Sequence, residues 1–217
     1  MGDFVVTALE PKKNNKKRYN LYLDGQFKCG LTVDSVAIFR IKVGQTLSEE
    51  ELQNILDTTE TQIAFDKCLN LLSKSMKTKQ QIKDYLQQKG FGLRAVENVL
   101  QKLENYGYVD DVNYAKVFVA QNKKTKGVYR IKQELFLKGI PKQIIEEALL
   151  DLDIDETFES ALVVAKKFIK DKPIDQKELQ RLNRHLLSRG FDFEIISKVI
   201  FSLKNEMVDC GDGEDFE

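Results

Sequence analysis

The sequence predicts a mainly α-helical protein, with three tandem three-helix repeats behind a small amino-terminal head of β-hairpin and helix. The first observation behind this is a recurring segment: QIKDYLQQKGFGLRAVENVLQKL, RIKQELFLKGIPKQIIEEALLDL and RLNRHLLSRGFDFEIISKVIFSL. Its glycines, Gly90, Gly139 and Gly190, lie roughly fifty residues apart, a period typical of arrays of one supersecondary unit. The second is that apolar positions keep register with those glycines. Ile82, Ile131 and Leu182 match, as do Leu86, Leu135 and Leu186, then Val96, Ile145 and Ile196, and finally Leu103, Leu152 and Leu203. The third is that the first sixty residues lack the repeat and alternate as strands do, around the hairpin signal Asp24-Gly25.

In chain order, Phe4-Val5-Val6 starts a strand and Lys12 to Arg18 reads as a basic, turn-prone loop. Tyr19 to Leu23 and Gln26 to Leu31 then form a hairpin. Val33 to Val43 is expected to be a helix capped by Asp34 and stopped by Gly44. Ser48-Glu49-Glu50-Glu51 fits a capping box that opens a helix through Leu56. A separate helix over Gln62 to Ser73 begins the first repeat. Thr78-x-x-Gln81 caps its second helix, which ends at Gly90, and its third runs from about Leu93 to Tyr106. In the second repeat Tyr114, Ala115 and Phe118 mark the first helix, and Pro141 suits the first turn of the third. Asp175 and Asp192 are cap candidates in the third repeat. The expected domains are therefore residues 1–60, 61–109, 110–154 and 155–205, followed by a disordered acidic tail, 206–217. Phe and Leu stripes at helical spacing are assigned to the core.

Composition narrows the function. No apolar run is long enough to span a membrane, and the amino end shows no secretory signal. Cys29, Cys68 and Cys210 are widely spaced and form no CxxC, so they read as free thiols in a reducing cytoplasm. The net charge of zero hides an asymmetry: Glu206 to Glu217 carries six acids and no Lys or Arg, which leaves the rest at +6. Catalysis finds no support. His185, the only histidine, occupies a repeat slot filled by Tyr85 and Glu134 elsewhere and reads as a solvent-facing residue. Asp110-Asp111 reads as helix-start acids, and every prominent glycine reads as a helix stop or turn. No enzyme, metal or cofactor is expected.

Basic residues carry the functional signal. Lys123, Lys124, Lys126, Tyr129, Arg130, Lys132 and Lys138 cluster around the link between the first two helices of the middle repeat. Long cations and an aromatic ring near a helix amino terminus suit contacts to phosphates or to an acidic surface. Lys12, Lys13, Lys16, Lys17 and Arg18 form a second candidate patch. A merely solvated, lysine-rich loop remains the alternative for both.

The motifs ENYGYVDDVNYAKVFV (Glu104 to Val119), KGVYRIKQELFLKGI (Lys126 to Ile140) and IIEEAL (Ile144 to Leu149) resemble the bacterial RecX family, regulators of the RecA recombinase. KSMKTKQQIKDYLQQKGF, LNRHLLSRGFDFEIISKVI and the head segment RYNLYLDGQFKCGL are similar to its flanking modules, so the resemblance covers nearly the whole chain. It implies an elongated, curved array of modules that lodges in the groove of a RecA filament on single-stranded DNA. It also implies a monomer that restrains ATP hydrolysis, strand exchange and coprotease activity by RecA without chemistry of its own. Weak contacts shared among modules would then add as multivalent binding. The rival reading is a stand-alone nucleic-acid-binding protein whose modules place a recognition helix on a duplex. Glu146-Glu147 on one third helix would face phosphates badly.

Overall fold

The computed structural model describes residues 3–13, 15–150, 152–170 and 175–211, the side chains of residues 16 and 207–211 excepted. It divides into two units, 1–109 and 110–217. The first begins with strands β1 (Phe4–Lys12), β2 (Asn15–Leu23), β3 (Gln26–Thr32) and β4 (Thr46–Leu47), which form an antiparallel sheet in the order β3-β2-β1-β4. Alternation puts Leu21 and Leu23 of β2 on the same face. There they join Val6, Leu31 and Leu47 in a core closed by Leu52 and Ile55. The β2–β3 turn passes through Asp24 and Gly25 with φ of 50° and 80°, the left-handed pair that a tight hairpin requires.

Two expectations for the head are corrected. Lys12 to Arg18 is not a loop: β1 runs to Lys12, β2 starts at Asn15, and Lys12 pairs with Asn15. Lysines tolerate exposed strand positions, and the pairing satisfies backbone groups that a free loop would leave to water. The helix expected over Val33 to Val43 is shorter, α1 (Val33–Ile38), and is capped by Thr32 rather than Asp34. The Thr32 hydroxyl accepts the Ser35 N–H (3.0 Å), and the chain leaves helical geometry at Arg40, where φ is +49°.

Ser48 and Glu51 form the expected capping box of α2 (Glu49–Leu72), but this helix does not stop after Leu56. The helix expected over Gln62 to Ser73 is its continuation. No Gly or Pro interrupts the stretch, and the polar residues at the changeover are anchored, since the Thr59 hydroxyl donates to Ser35 Oγ at 2.9 Å. One helix therefore serves two cores, with Leu52 and Ile55 in the head and Ala64 and Cys68 in the first repeat. The first repeat is completed by α3 (Lys79–Gln88) and α4 (Leu93–Asn105). Burial pushes the Cys68 thiol up to about 11, consistent with a packing role.

The second unit contains α5 (Asp111–Asn122), α6 (Val128–Leu137) and α7 (Lys142–Leu149), then α8 (Ile154–Ile169), α9 (Gln176–Ser188) and α10 (Phe193–Gly211). Ile131, Leu135 and Ile145 centre one core, and Leu182, Leu186, Ile196 and Leu203 the other. Residues 206–211, expected within a disordered tail, instead continue α10, since nothing breaks the helix before Gly211. The rest of the expected tail lies outside the described residues.

Gly90, Gly139 and Gly190 have φ of 82°, 80° and 86°. Each follows the repeat's second helix, and the N–H two places past the cap reaches back to a carbonyl in the last turn, as from Phe191 to Leu186 (3.2 Å). The rule that Phe and Leu stripes are core fails in places. Phe136, Leu137, Leu187, Phe193 and Phe201 are exposed, because on each helix they sit off the buried stripe.

Candidate functional site

The link from Lys123 to Gly127 and helix α6 form the site. α6 has no side-chain cap at its amino end; its N-cap is Gly127. The reason lies in the third repeat. The Gly127 N–H donates to the Arg189 carbonyl (2.9 Å), and the Tyr129 N–H to the Gly190 carbonyl (3.1 Å). Orphan donors at the start of α6 thus satisfy orphan carbonyls beyond the end of α9, head to tail. The approach is so close that a Cβ built on Gly127 would lie 2.1 Å from the Gly190 oxygen.

Ion pairing sorts the basic residues into two groups. Lys126 and Arg130 both bond the Glu134 carboxylate, at 2.6 and 2.8 Å, and Lys123 bonds Glu156 at 2.5 Å. The ammonium groups of Lys126 and Lys138 also lie over the Phe118 ring, 5.7 and 5.6 Å from its centre. Lys124 and Lys132 are exposed and ion-pair with no carboxylate among the described residues. Tyr129 is 66% exposed and Phe136 69%. With Lys132 between them they occupy positions i, i+3 and i+7, so α6 turns Ile131 and Leu135 inward and an aromatic–cation–aromatic row outward.

The sequence-derived patch therefore splits. Lys123, Lys126 and Arg130 stabilise the link, and Lys124, Tyr129 and Lys132 face solvent. Phe136 was missed because its apolar character assigned it to the core; its offset from the Ile131–Leu135 stripe was the available signal. In the head, Lys12, Lys13 and Lys17 are exposed and Arg18 is half-buried, while the Lys16 side chain lies outside the described residues. They lie along and between β1 and β2 in the first unit. His185, expected to face solvent, is instead half-buried and stacked on Phe168, with ring centres 4.4 Å apart. Its repeat slot falls where α8 supplies a ring.

Glu134 ties the link to α6. Burial alone would raise its carboxyl, but the bonds from Lys126 and Arg130 outweigh this and hold it below the ordinary value. A lowered carboxyl stabilises the fold above the unfolded-state value, and that stability is lost as pH falls through the folded one. Glu134→Gln should cost about 1 kcal/mol at neutral pH and remove part of the acid-induced loss of stability. Unfolding midpoints of both proteins along a descending pH series check this. Parallel curves would show that Glu134 contributes no linkage.

Comparison with known proteins decides the kinship. RecX models match along the chain: the N-terminal domain over residues 4–48, and the first, second and third three-helix domains over 64–103, 110–149 and 155–200. The chain is 36% identical over 205 residues to regulatory protein RecX of Clostridioides difficile (strain 630), covering 93% of this chain and 96% of that one. The chain belongs to the RecX family of regulatory proteins. Regulatory protein RecX of Bacillus subtilis (strain 168) is 31% identical over 205 residues, covering 93% of this chain and 78% of that one. A crystal structure of regulatory protein RecX superposes with a TM-score of 0.70 at 27% identity, covering 90% of this chain and 98% of the other. In RecX terms, the α6 row belongs to the second three-helix domain, and its seat, Arg189-Gly190, to the third. Among the described residues no helix is long and apolar enough to cross a membrane, and no acidic, His or Cys cluster is placed to hold a metal.

Proposed function

We propose that the protein is a non-catalytic regulator that binds the RecA filament on single-stranded DNA and restrains its ATP hydrolysis, strand exchange and coprotease activity. On this reading it is a cytoplasmic monomer carrying several weak contact surfaces. The observation that supports it is the row Tyr129, Lys132 and Phe136 on a helix pinned at its amino end. Large exposed rings interleaved with an uncompensated cation are what a protein interface with an acidic or nucleic-acid component uses, and they are costly to leave in water without a partner. Membership of a family of regulatory proteins agrees with it. Regular duplex reading is disfavoured, because Glu146 and Glu147 are both exposed on α7.

The test is a pulldown with purified RecA, with and without single-stranded DNA and nucleotide, alongside the DNA-dependent ATPase. Retention that requires the assembled filament, together with a dose-dependent fall in ATP hydrolysis, is expected. Retention on DNA alone with unchanged ATPase would overturn the proposal in favour of a stand-alone nucleic-acid-binding protein.

A further inference from the structure

The junction of the second and third repeats also forms a cleft of about 290 Å³, lined by Thr125 from the link, Val164, Lys167 and Phe168 from α8, His185 from α9, and Arg189 at its cap. Among the described residues no carboxylate lines it. Several cations of this unit are matched, Lys123 with Glu156, Lys126 and Arg130 with Glu134, and Lys166 with Glu206, whereas Lys124, beside Thr125, is matched by none of the described residues. Lys167 and Arg189 pair with no acid among the described residues, yet both border the same cleft. We infer that this cleft binds a phosphate group.

Three features favour that occupant. Arg and Lys together offer a planar fork and a point charge, the combination that suits a tetrahedral phosphate oxyanion. Thr125 adds a hydroxyl whose bond to the Asn122 carbonyl is long, 3.4 Å, and His185, stacked on Phe168, walls the same cleft. The third concerns what would repel an anion. The carbonyls at the end of α9 carry the negative end of the helix dipole, but they are already bonded. Arg189 and Gly190 accept from Gly127 and Tyr129, and Leu186 and Leu187 accept from Phe191 and Gly190. Residues of two repeats build the cleft, so an occupant would brace the junction.

The assignment stands apart from filament binding and is tested on the full chain without RecA. The phosphate has two sources, a strand's phosphodiester or a free phosphate, and the arms separate them. One arm measures the unfolding midpoint in inorganic phosphate against chloride of equal ionic strength. The other measures anisotropy of labelled oligo-dT across a salt series. Lys167→Gln/Arg189→Gln is compared with Lys142→Gln/Lys198→Gln, which removes the same charge elsewhere. Loss of phosphate-specific stabilisation in the first variant alone identifies a free phosphate. About tenfold weaker oligo-dT binding, with a log–log salt slope reduced by about 0.7 for each lost contact, identifies the strand. Either result supports the cleft. No response of the wild-type protein in either arm, or equal effects of the two variants, overturns it.

Discussion

Gly190→Ala is expected to destabilise the second unit by about 2–5 kcal/mol, whereas Gly90→Ala, at the same repeat position, should cost only about 1–2 kcal/mol. Both glycines have positive φ, 86° and 82°, so each substitution carries the left-handed penalty of an L-residue. They differ in space. A Cβ at Gly90 meets nothing within 4 Å, while one at Gly190 would lie 2.2 Å from the Arg130 nitrogen. Forcing it in must push α6 off its seat, breaking the bonds from Gly127 and Tyr129. Gly127→Ala separates the two causes. At φ −77° and ψ 167° its backbone suits any residue, so its cost, about 1–3 kcal/mol, would come from the clash alone. Unfolding midpoints rank the three variants, and hydrogen exchange over residues 123–131 shows whether the junction opens. Equal losses for Gly90→Ala and Gly190→Ala would refute the head-to-tail seat.

Replacing the α6 row by Tyr129→Ala, Lys132→Glu and Phe136→Ala should raise the concentration needed to inhibit the RecA ATPase by about a hundredfold, if that row is the contact surface. Ring anchors and interleaved cations dominate interfaces, and losing two rings at about 2 kcal/mol each already exceeds a factor of a hundred. The fold should be unaffected within about 0.5 kcal/mol, because all three side chains are exposed and ion-pair with nothing among the described residues. Reversing Lys123, Lys126 and Arg130 is a poorer probe. Those changes set new acids against Glu134, whose side chain is only 19% exposed, and against Glu156, so activity would fall with the fold. Unchanged inhibition by the well-folded triple variant would remove α6 from the interface.

Local chemistry made much of the molecule legible. A glycine needed at left-handed φ, a Ser or Thr able to cap, and an apolar stripe at helical period are properties of neighbouring residues. The repeat helices, the α2 and α3 capping boxes and the three helix-ending glycines could therefore be placed from the residues alone. The merging of two expected helices into α2 was not legible. Nothing at residues 57–61 either demands or forbids continuation, and the decision fell to two cores that each required part of the same rod. Lys12 to Arg18 went the same way, since pairing of β1 with β2 around the turn outweighed a loop-like composition.

The candidate site divides along the same line. That cations cluster beside a ring at the start of α6 is written in the order Lys123 to Lys132. Which of them are available is written only in part: Glu134 stands four residues beyond Arg130 on the same helix, but Glu156 reaches Lys123 only when α8 packs beside the link. Phe136 reads as core until the helix is rotated against its neighbours, and His185 reads as surface until Phe168 is laid beside it. Gly127 and Gly190 are sixty-three positions apart in the chain. Short-range forces act along the backbone and leave their mark in the sequence, but the contact between these glycines, and the cleft beside it, exist only once two repeats have docked.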